Sequence, residues 1–394
     1  MSSDINILFS SPSISRIYTG VTEVQKNVAL ELLKLNINVD IVSLVDAYTK
    51  EDIVDWGALK PEMHRKLFPQ LGDYSRTYFD ALLNSNGNVG HIHALWSYSS
   101  WALYKWSKIT QNPYLLSANG YLDPWSMNNS KLKKKAALAF GFRSVLESAG
   151  CIQVNSSNEI DSVRGLNLSN PMCLISNGVV LPDLGKRQTP PWSHYKPIHG
   201  KKILLYLGRI DKKKGVDLLI DAWKTISVKD KKDWHLILVG FDDTKSGYQS
   251  YIKAKISEGL LEDSVLCLDG QYGLDMEACY RNCDAFILPS YSEGASISVL
   301  NAWAFSKPAI ITEGCGFVEG FSFGSAVKIN PDIGDIVMGI MEIIRMSDAE
   351  REEMGFKGRV LVEKNYSWEI VTKSLLDVYN WMHSKDYAKP NCIV

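Results

Sequence analysis

Apolar and polar positions along the chain alternate between two patterns. Ile5–Phe9 is a short apolar run, Val21–Leu35 carries apolar residues at helical spacing, and Val39–Ser43 is apolar again. Strand, helix, strand is the order that builds parallel sheets. Further strands are predicted at His91–Leu95, Tyr114–Ser117, Ile152–Val154 and Cys173–Ile175, with helices near 101–109, 132–149 and 156–164 between them. The periodicity stops between Leu181 and Gly200, where Pro182, Pro190, Pro191 and Pro197 interrupt any regular element. A second alternating series follows, with strands expected at Ile203–Gly208, His235–Gly240, Val265–Leu268, Ala285–Leu288, Ala309–Ile311 and Val327–Ile329. The fold class is therefore α/β, with two Rossmann-like parallel sheets in tandem. The expected boundaries are residues 1–185 for the first domain, 186–200 for a linker and 201–366 for the second domain.

A length of 394 residues fits this division, because single cores stop growing well before that size. The 43 basic and 44 acidic side chains leave no global field for a nucleic acid. The seven cysteines are scattered without histidines at metal-ligand spacing, so they read as reduced, mostly buried thiols. No apolar run approaches the length of a membrane span, and the first residues lack the basic start and cleavage site of a signal peptide, so a cytoplasmic protein is expected.

Ligands of open parallel sheets bind beyond the carboxyl ends of strands, and two strand ends carry chemistry. After Ile203–Leu207 comes Gly208-Arg209-Ile210-Asp211-Lys212-Lys213-Lys214-Gly215, which leads into a helix near Val216. A guanidinium fork, an ammonium and a helix start suit a diphosphate; the alternative is a solvated basic turn. After Ile287-Leu288 comes Pro289-Ser290-Tyr291-Ser292-Glu293-Gly294-Ala295-Ser296, a small-residue loop leading into a helix near Ile297–Phe305. Its carboxylate can accept from sugar hydroxyls while the following amides meet a phosphate; the alternative is a glutamate that only favours the helix start electrostatically.

With these motifs and the helix exit Ala302-Trp303-Ala304-Phe305-Ser306-Lys307-Pro308, the chain resembles glycosyltransferase family 4 over nearly its whole length. The resemblance implies the GT-B fold, two Rossmann-like domains facing a central cleft, with a helix opened by Tyr366-Ser367-Trp368 so that 367–394 crosses back to the first domain. By that resemblance Arg209 and Lys214 bind the donor diphosphate in place of a metal, which fits the lack of an Asp-x-Asp pair, and no cofactor is needed. Glu293 holds the sugar, and Gly294, Ala295 and Ser296 supply amides. Gly208 lies in the phosphate loop, and Tyr272 lies in the loop that contacts the base. Thr19-Gly20-Val21 occupies the place of the family's glycine-rich first loop, where Gly20 lets the backbone approach the donor; the alternative is an ordinary turn. His91-Ile92-His93-Ala94-Leu95-Trp96 and Ser117-Ala118-Asn119-Gly120-Tyr121 look like acceptor-side motifs of members that build exopolysaccharide and lipopolysaccharide. The implied reaction is retaining transfer of a hexose, glucose from UDP-glucose first, to a glycan or lipid-linked acceptor.

Two positions depart from the family. Asn301 stands where a second acidic residue is usual, and Asn119 stands where a histidine precedes the glycine. Asparagine at 119 cannot carry a proton at neutral pH, which leaves His93 as a substitute or as a structural strand-end histidine. A sugar-nucleotide-binding protein with little or no transfer, and a nucleotide-sugar hydrolase or epimerase, therefore stay open. Lys131, Lys133, Lys134 and Lys135 open a helix whose apolar residues include Leu132, Leu138, Phe140, Phe142, Val145 and Leu146. Weak contact with anionic lipid through Lys131–Lys135, at the inner face of the plasma membrane, is one reading. A core helix with a solvated start is the other.

Overall fold

The structure, a computed structural model, describes residues 5–67, 73–128, 131–242 and 247–394, without the side chains of Thr19, Trp125, Asn128 and Lys131. It forms two compact units, residues 1–177 with 368–394, and residues 178–367.

In the first unit the strands are β1 (Asn6–Ser11), β2 (Asn38–Leu44), β3 (Glu62–His64), β4 (Val89–Ile92), β5 (Tyr114–Ser117), β6 (Cys151–Val154) and β7 (Met172–Leu174). They pair in the order β3-β2-β1-β4-β5-β6-β7, and every pair is parallel. Five of the six β1 residues are buried, because helices cover both faces of such a sheet; this is why β1 reads as a continuous apolar run rather than an alternation. The helix Trp368–His383 packs on the helix Thr19–Lys34 and on β4. Tyr379 fixes it there, its hydroxyl lying 2.6 Å from His91 Nδ1. Beyond it, Ile393 bridges Cys173 in antiparallel fashion and covers the edge of β7.

The second unit holds β8 (Lys202–Leu207), β9 (Trp234–Val239), β10 (Val265–Leu268), β11 (Ala285–Leu288), β12 (Ala309–Thr312) and β13 (Ala326–Ile329). Their order is β10-β9-β8-β11-β12-β13, again all parallel. Trp192 and Ile198, from the proline-rich stretch 186–200, are buried in this unit's core.

Both sheets reverse direction at their centres, β1 lying between β2 and β4, and β8 between β9 and β11. Such a reversal leaves a crevice beyond the strand ends, because successive helices leave to opposite faces there.

Some local expectations are corrected. The helix expected over 132–149 breaks into Lys131–Ala137, a π-helical turn Leu138–Phe142, and Arg143–Glu147, where Gly141 takes φ 125°. The strand expected to run to Leu95 stops at Ile92, and Thr19-Gly20-Val21 is the first turn of a helix rather than an open loop. The edge strand β3 and the helix Arg76–Asn84 lie in a stretch whose sequence carries no clear period.

Candidate functional site

The two chemistry-bearing loops of the second unit follow β8 and β11, the neighbouring strands at its switch point. Asp211 caps the 3-10 turn Lys212–Lys214, its carboxylate accepting from the Lys214 amide at 3.2 Å. Gly215 then turns left-handed at φ 68° into the helix Val216–Thr225. A Cβ at Gly215 would fall inside contact distance of the Pro289 carbonyl oxygen, so glycine lets the two loops close on each other. The Tyr291 amide donates to the Lys213 carbonyl at 2.9 Å.

At the centre of this junction Lys214 Nζ lies 2.8 Å from Glu293 Oε1, with side-chain exposures of 9% and 14%. The Ser290 hydroxyl lies 2.6 Å from the same oxygen. Burial pushes the Glu293 carboxyl up, but the Lys214 ammonium, hydrogen bonds from Lys214 and Ser290, and the charge of Lys213 outweigh it and hold the group below the usual range. The Lys214 and Ser290 contacts both reach Oε1 rather than Oε2. Arg209 is half-exposed at the mouth of the loop, 3.6 Å from Asp211. Together the two loops carry four cationic side chains (Arg209, Lys212, Lys213, Lys214) against two carboxylates (Asp211, Glu293).

A third loop, after β12, supports the second. The Glu293 amide donates to the Gly314 carbonyl at 2.6 Å and the Ser296 amide to that of Cys315 at 3.2 Å. The Thr312 hydroxyl donates to the Ser290 carbonyl at 2.5 Å. Of the three amides expected to face a ligand, that of Ser296 is thus committed, while those of Gly294 and Ala295 donate to no protein acceptor among the described residues. The small residues of Glu313-Gly314-Cys315-Gly316 after a predicted strand were the available signal for this loop. Around the loops, Tyr206 donates to the Arg209 carbonyl at 2.6 Å. Ser298 Oγ would lie 3.9 Å from a Cβ at Gly208. Asn301 lies on the helix Ile297–Ala304 near the buried Tyr280 hydroxyl. Tyr272 is exposed, its ring 6.1 Å from that of Phe241.

The first unit gathers its own polar residues beyond β4, β5 and β6. His93 follows β4, is 2% exposed, and finds no hydrogen-bond partner for either ring nitrogen among the described residues. Its ring lies 4.0 Å from that of His91 and stacks on Phe9. Burial pulls its pKa down to about 3, so His93 is neutral near pH 7 and a weak base. Asn119 turns left-handed at φ 44°. Its amide nitrogen donates to the His93 carbonyl at 2.9 Å, and its oxygen accepts from Asn155 at 3.2 Å. The buried Glu159 accepts from the amides of Gly120 at 2.5 Å and Asn155 at 2.7 Å. Asn155 and Glu159 carry no motif that singles them out in the sequence. Gly20 is exposed, with open space where a Cβ would stand. No group of three or more His, Cys, Asp or Glu side chains among the described residues is placed to hold a metal ion, and no described helix is long and apolar enough to cross a membrane.

Two doubly wound parallel units, one with a cationic loop pair at its switch point, define a Rossmann-like protein of the GT-B type. Residues 193–360 match the family model for glycosyl transferases group 1. An uncharacterised glycosyltransferase of Methanocaldococcus jannaschii is 27% identical over 243 residues, 58% of each chain. The capsular polysaccharide biosynthesis glycosyltransferase CapM of Staphylococcus aureus is 25% identical over 189 residues, 48% of each chain. The chain spans about half the length of the curated relatives it matches. Among solved structures, HepE of Anabaena in complex with UDP-glucose aligns with a TM-score of 0.75 at 14% identity, over 96% of this chain and 100% of that one, a likeness of fold.

Proposed function

We propose that the protein is a retaining, metal-independent glycosyltransferase that moves a hexose from a nucleotide sugar to a glycan or lipid-linked acceptor in polysaccharide biosynthesis. UDP-glucose is the first donor to test. The observation that carries the reading is the junction of two loops at the β8/β11 switch point, where Lys214 holds Glu293 and the Gly294 and Ala295 amides are unspent. Arg209 and Lys214 bind the diphosphate and balance the charge that grows as the bond from the anomeric carbon to phosphate oxygen breaks. Glu293 accepts from sugar hydroxyls through Oε2. Gly208, Ser296 and Tyr272 line the donor, and Asn301 meets the ribose as a neutral amide. The acceptor oxygen bonds the anomeric carbon on the face the phosphate leaves, and the departing phosphate takes its proton. His93 and Asn119 belong to the acceptor side, where the neutral His93 and the tied Asn119 position rather than transfer protons. UDP-glucose in the HepE complex and the capsular role in the name of CapM support the choice of donor and pathway class.

A thermal-shift screen of UDP-, GDP- and ADP-sugars tests the reading. Ligand at about 100 times its Kd adds about 2.7 kcal/mol, or about 5–10 °C for a unit of this size. Arg209→Ala and Glu293→Ala are expected to abolish the shift, and product analysis of the wild type to show a new glycosidic bond. No stabilisation by any nucleotide sugar overturns the donor site; free sugar, an isomerised donor or binding without turnover overturns transfer.

A further inference from the structure

The segment 131–147 has the reverse of the polarity expected for a helix at a domain surface. Leu132 and Phe140 are 83% and 88% exposed, and Ala136 and Ala139 are exposed with them. At about 100° per residue these four fall on one face. Lys133 and Lys135, both exposed, flank that face on either side and make no ion pair among the described residues. The side turned to the protein is held by Lys134, whose Nζ donates to the Ser126 carbonyl at 2.6 Å and lies 5.9 Å from the centre of the Trp96 ring. Trp96 packs in turn against Phe142 at 5.6 Å, and Val145 and Leu146 are buried. The π-helical turn makes this division possible: Gly141 at φ 125°, a conformation that favours glycine, lets Phe142 turn inward while Phe140 points out. From Pro124 to Leu146 the chain has no carboxylate.

We propose that the exposed face of residues 132–140 docks on an anionic lipid bilayer. The face is about 12 Å long at 1.5 Å per residue. Its few apolar side chains offer much less than the roughly 800 Å² per partner of a standard protein interface. A bilayer surface needs no such area: Phe140 and Leu132 enter the headgroup boundary while the long lysine stems reach back to the phosphates. Lys134 takes no part in this contact, because its ammonium is spent inside the fold.

Flotation of the full chain with vesicles tests the proposal, using phosphatidylcholine alone and an equal mixture with phosphatidylglycerol, at low and at high salt. Binding is expected to the mixture at low salt only, because surface attraction is screened within about 3 Å at 1 M. Lys133→Glu/Lys135→Glu should weaken it by about 20-fold or more, at about fivefold per lysine charge, and Phe140→Ser should weaken it independently. The charge-matched change Lys229→Glu/Lys232→Glu, at exposed lysines of the other unit, should leave it unaltered. No flotation of the wild type at low salt overturns the proposal, as does an equal loss in the Lys229/Lys232 control. A dimer in light scattering that Phe140→Ser dissolves would assign the face to a second copy instead.

Discussion

Lys214→Met removes the one ammonium that, among the described residues, contacts the largely buried Glu293, leaving the carboxylate with the Ser290 hydroxyl. Both side chains of the pair are far less than one-third exposed, so solvent screens the interaction little. Removing one member of a buried pair costs about 3–5 kcal/mol. The retained hydroxyl and partial exposure place this case near the lower figure, about 3 kcal/mol, or about 6–12 °C in Tm for a unit of this size. The effect also has a pH signature. In the wild type the Glu293 pKa is depressed, so its stabilisation is present above the unfolded value of about 4.3 and is lost as pH falls through the folded value. In the variant, burial becomes the main influence and the folded value rises above the unfolded one. Stability is then lost as pH rises from about 4.3 through that raised value, so the deficit should be full at pH 8 and narrow toward pH 4. Lys214→Met/Glu293→Gln, with no charge left to bury, should recover most of the loss. Urea denaturation of the wild type, both single variants and the double variant at the two pH values measures the coupling. A coupling below about 0.5 kcal/mol at pH 8, or a deficit that does not change with pH, refutes the reasoning.

Gly215→Val places a branched side chain in the left-handed region and against the Pro289 carbonyl; a loss of more than about 2 kcal/mol is expected. Urea denaturation checks it, and a near-neutral result would mean that the two loops do not need this close approach. His93 is held neutral, its folded pKa of about 3 lying below the unfolded value of about 6.5. Its contribution is therefore full above pH 6.5 and is lost as pH falls toward 3, at up to about 1.4 kcal/mol per unit. His93→Phe should flatten the fall in stability between pH 6 and pH 4, and an unchanged slope would show that the ring is solvated.

Where helices cover both faces of a strand, sequence and structure coincide. Tyr114–Ser117 and Ala285–Leu288 are bounded as their apolar runs predict, because every position is buried. The edge strand β3 escapes because Glu62-Met63-His64 has one buried residue in three and no period to read. Helical period also leaves the direction of Leu132 and Phe140 open, since composition places apolar residues on a common face but does not say which way that face turns. At the candidate site, Arg209, Lys214 and Glu293 stand in motifs that sequence exposes. The ion pair between two of them, and the support from Thr312 to Cys315, depend on β8, β11 and β12 becoming neighbours.

The same distinction bears on the two asparagines that depart from the family. Asn119 combines a backbone at φ 44°, which asparagine tolerates better than most residues, with one amide that both donates and accepts. It thereby ties the chain after β4, through the His93 carbonyl, to the chain after β6, through Asn155. Glu159 closes the same bracket by accepting from Gly120 and Asn155, so three strand ends are fixed around one side chain without any proton being carried. Asn119 is thereby tied on both sides, and the buried, neutral His93 beside it joins the same bracket through its carbonyl. Asn301 has no comparable set of partners among the described residues; it stands one helical turn beyond Ser298, and both side chains lie near the buried Tyr280 hydroxyl. The partners of Asn119 thus come from three neighbouring strand ends of the first unit, whereas Asn301 stands on the helix that follows β11, beside the buried Tyr280 hydroxyl.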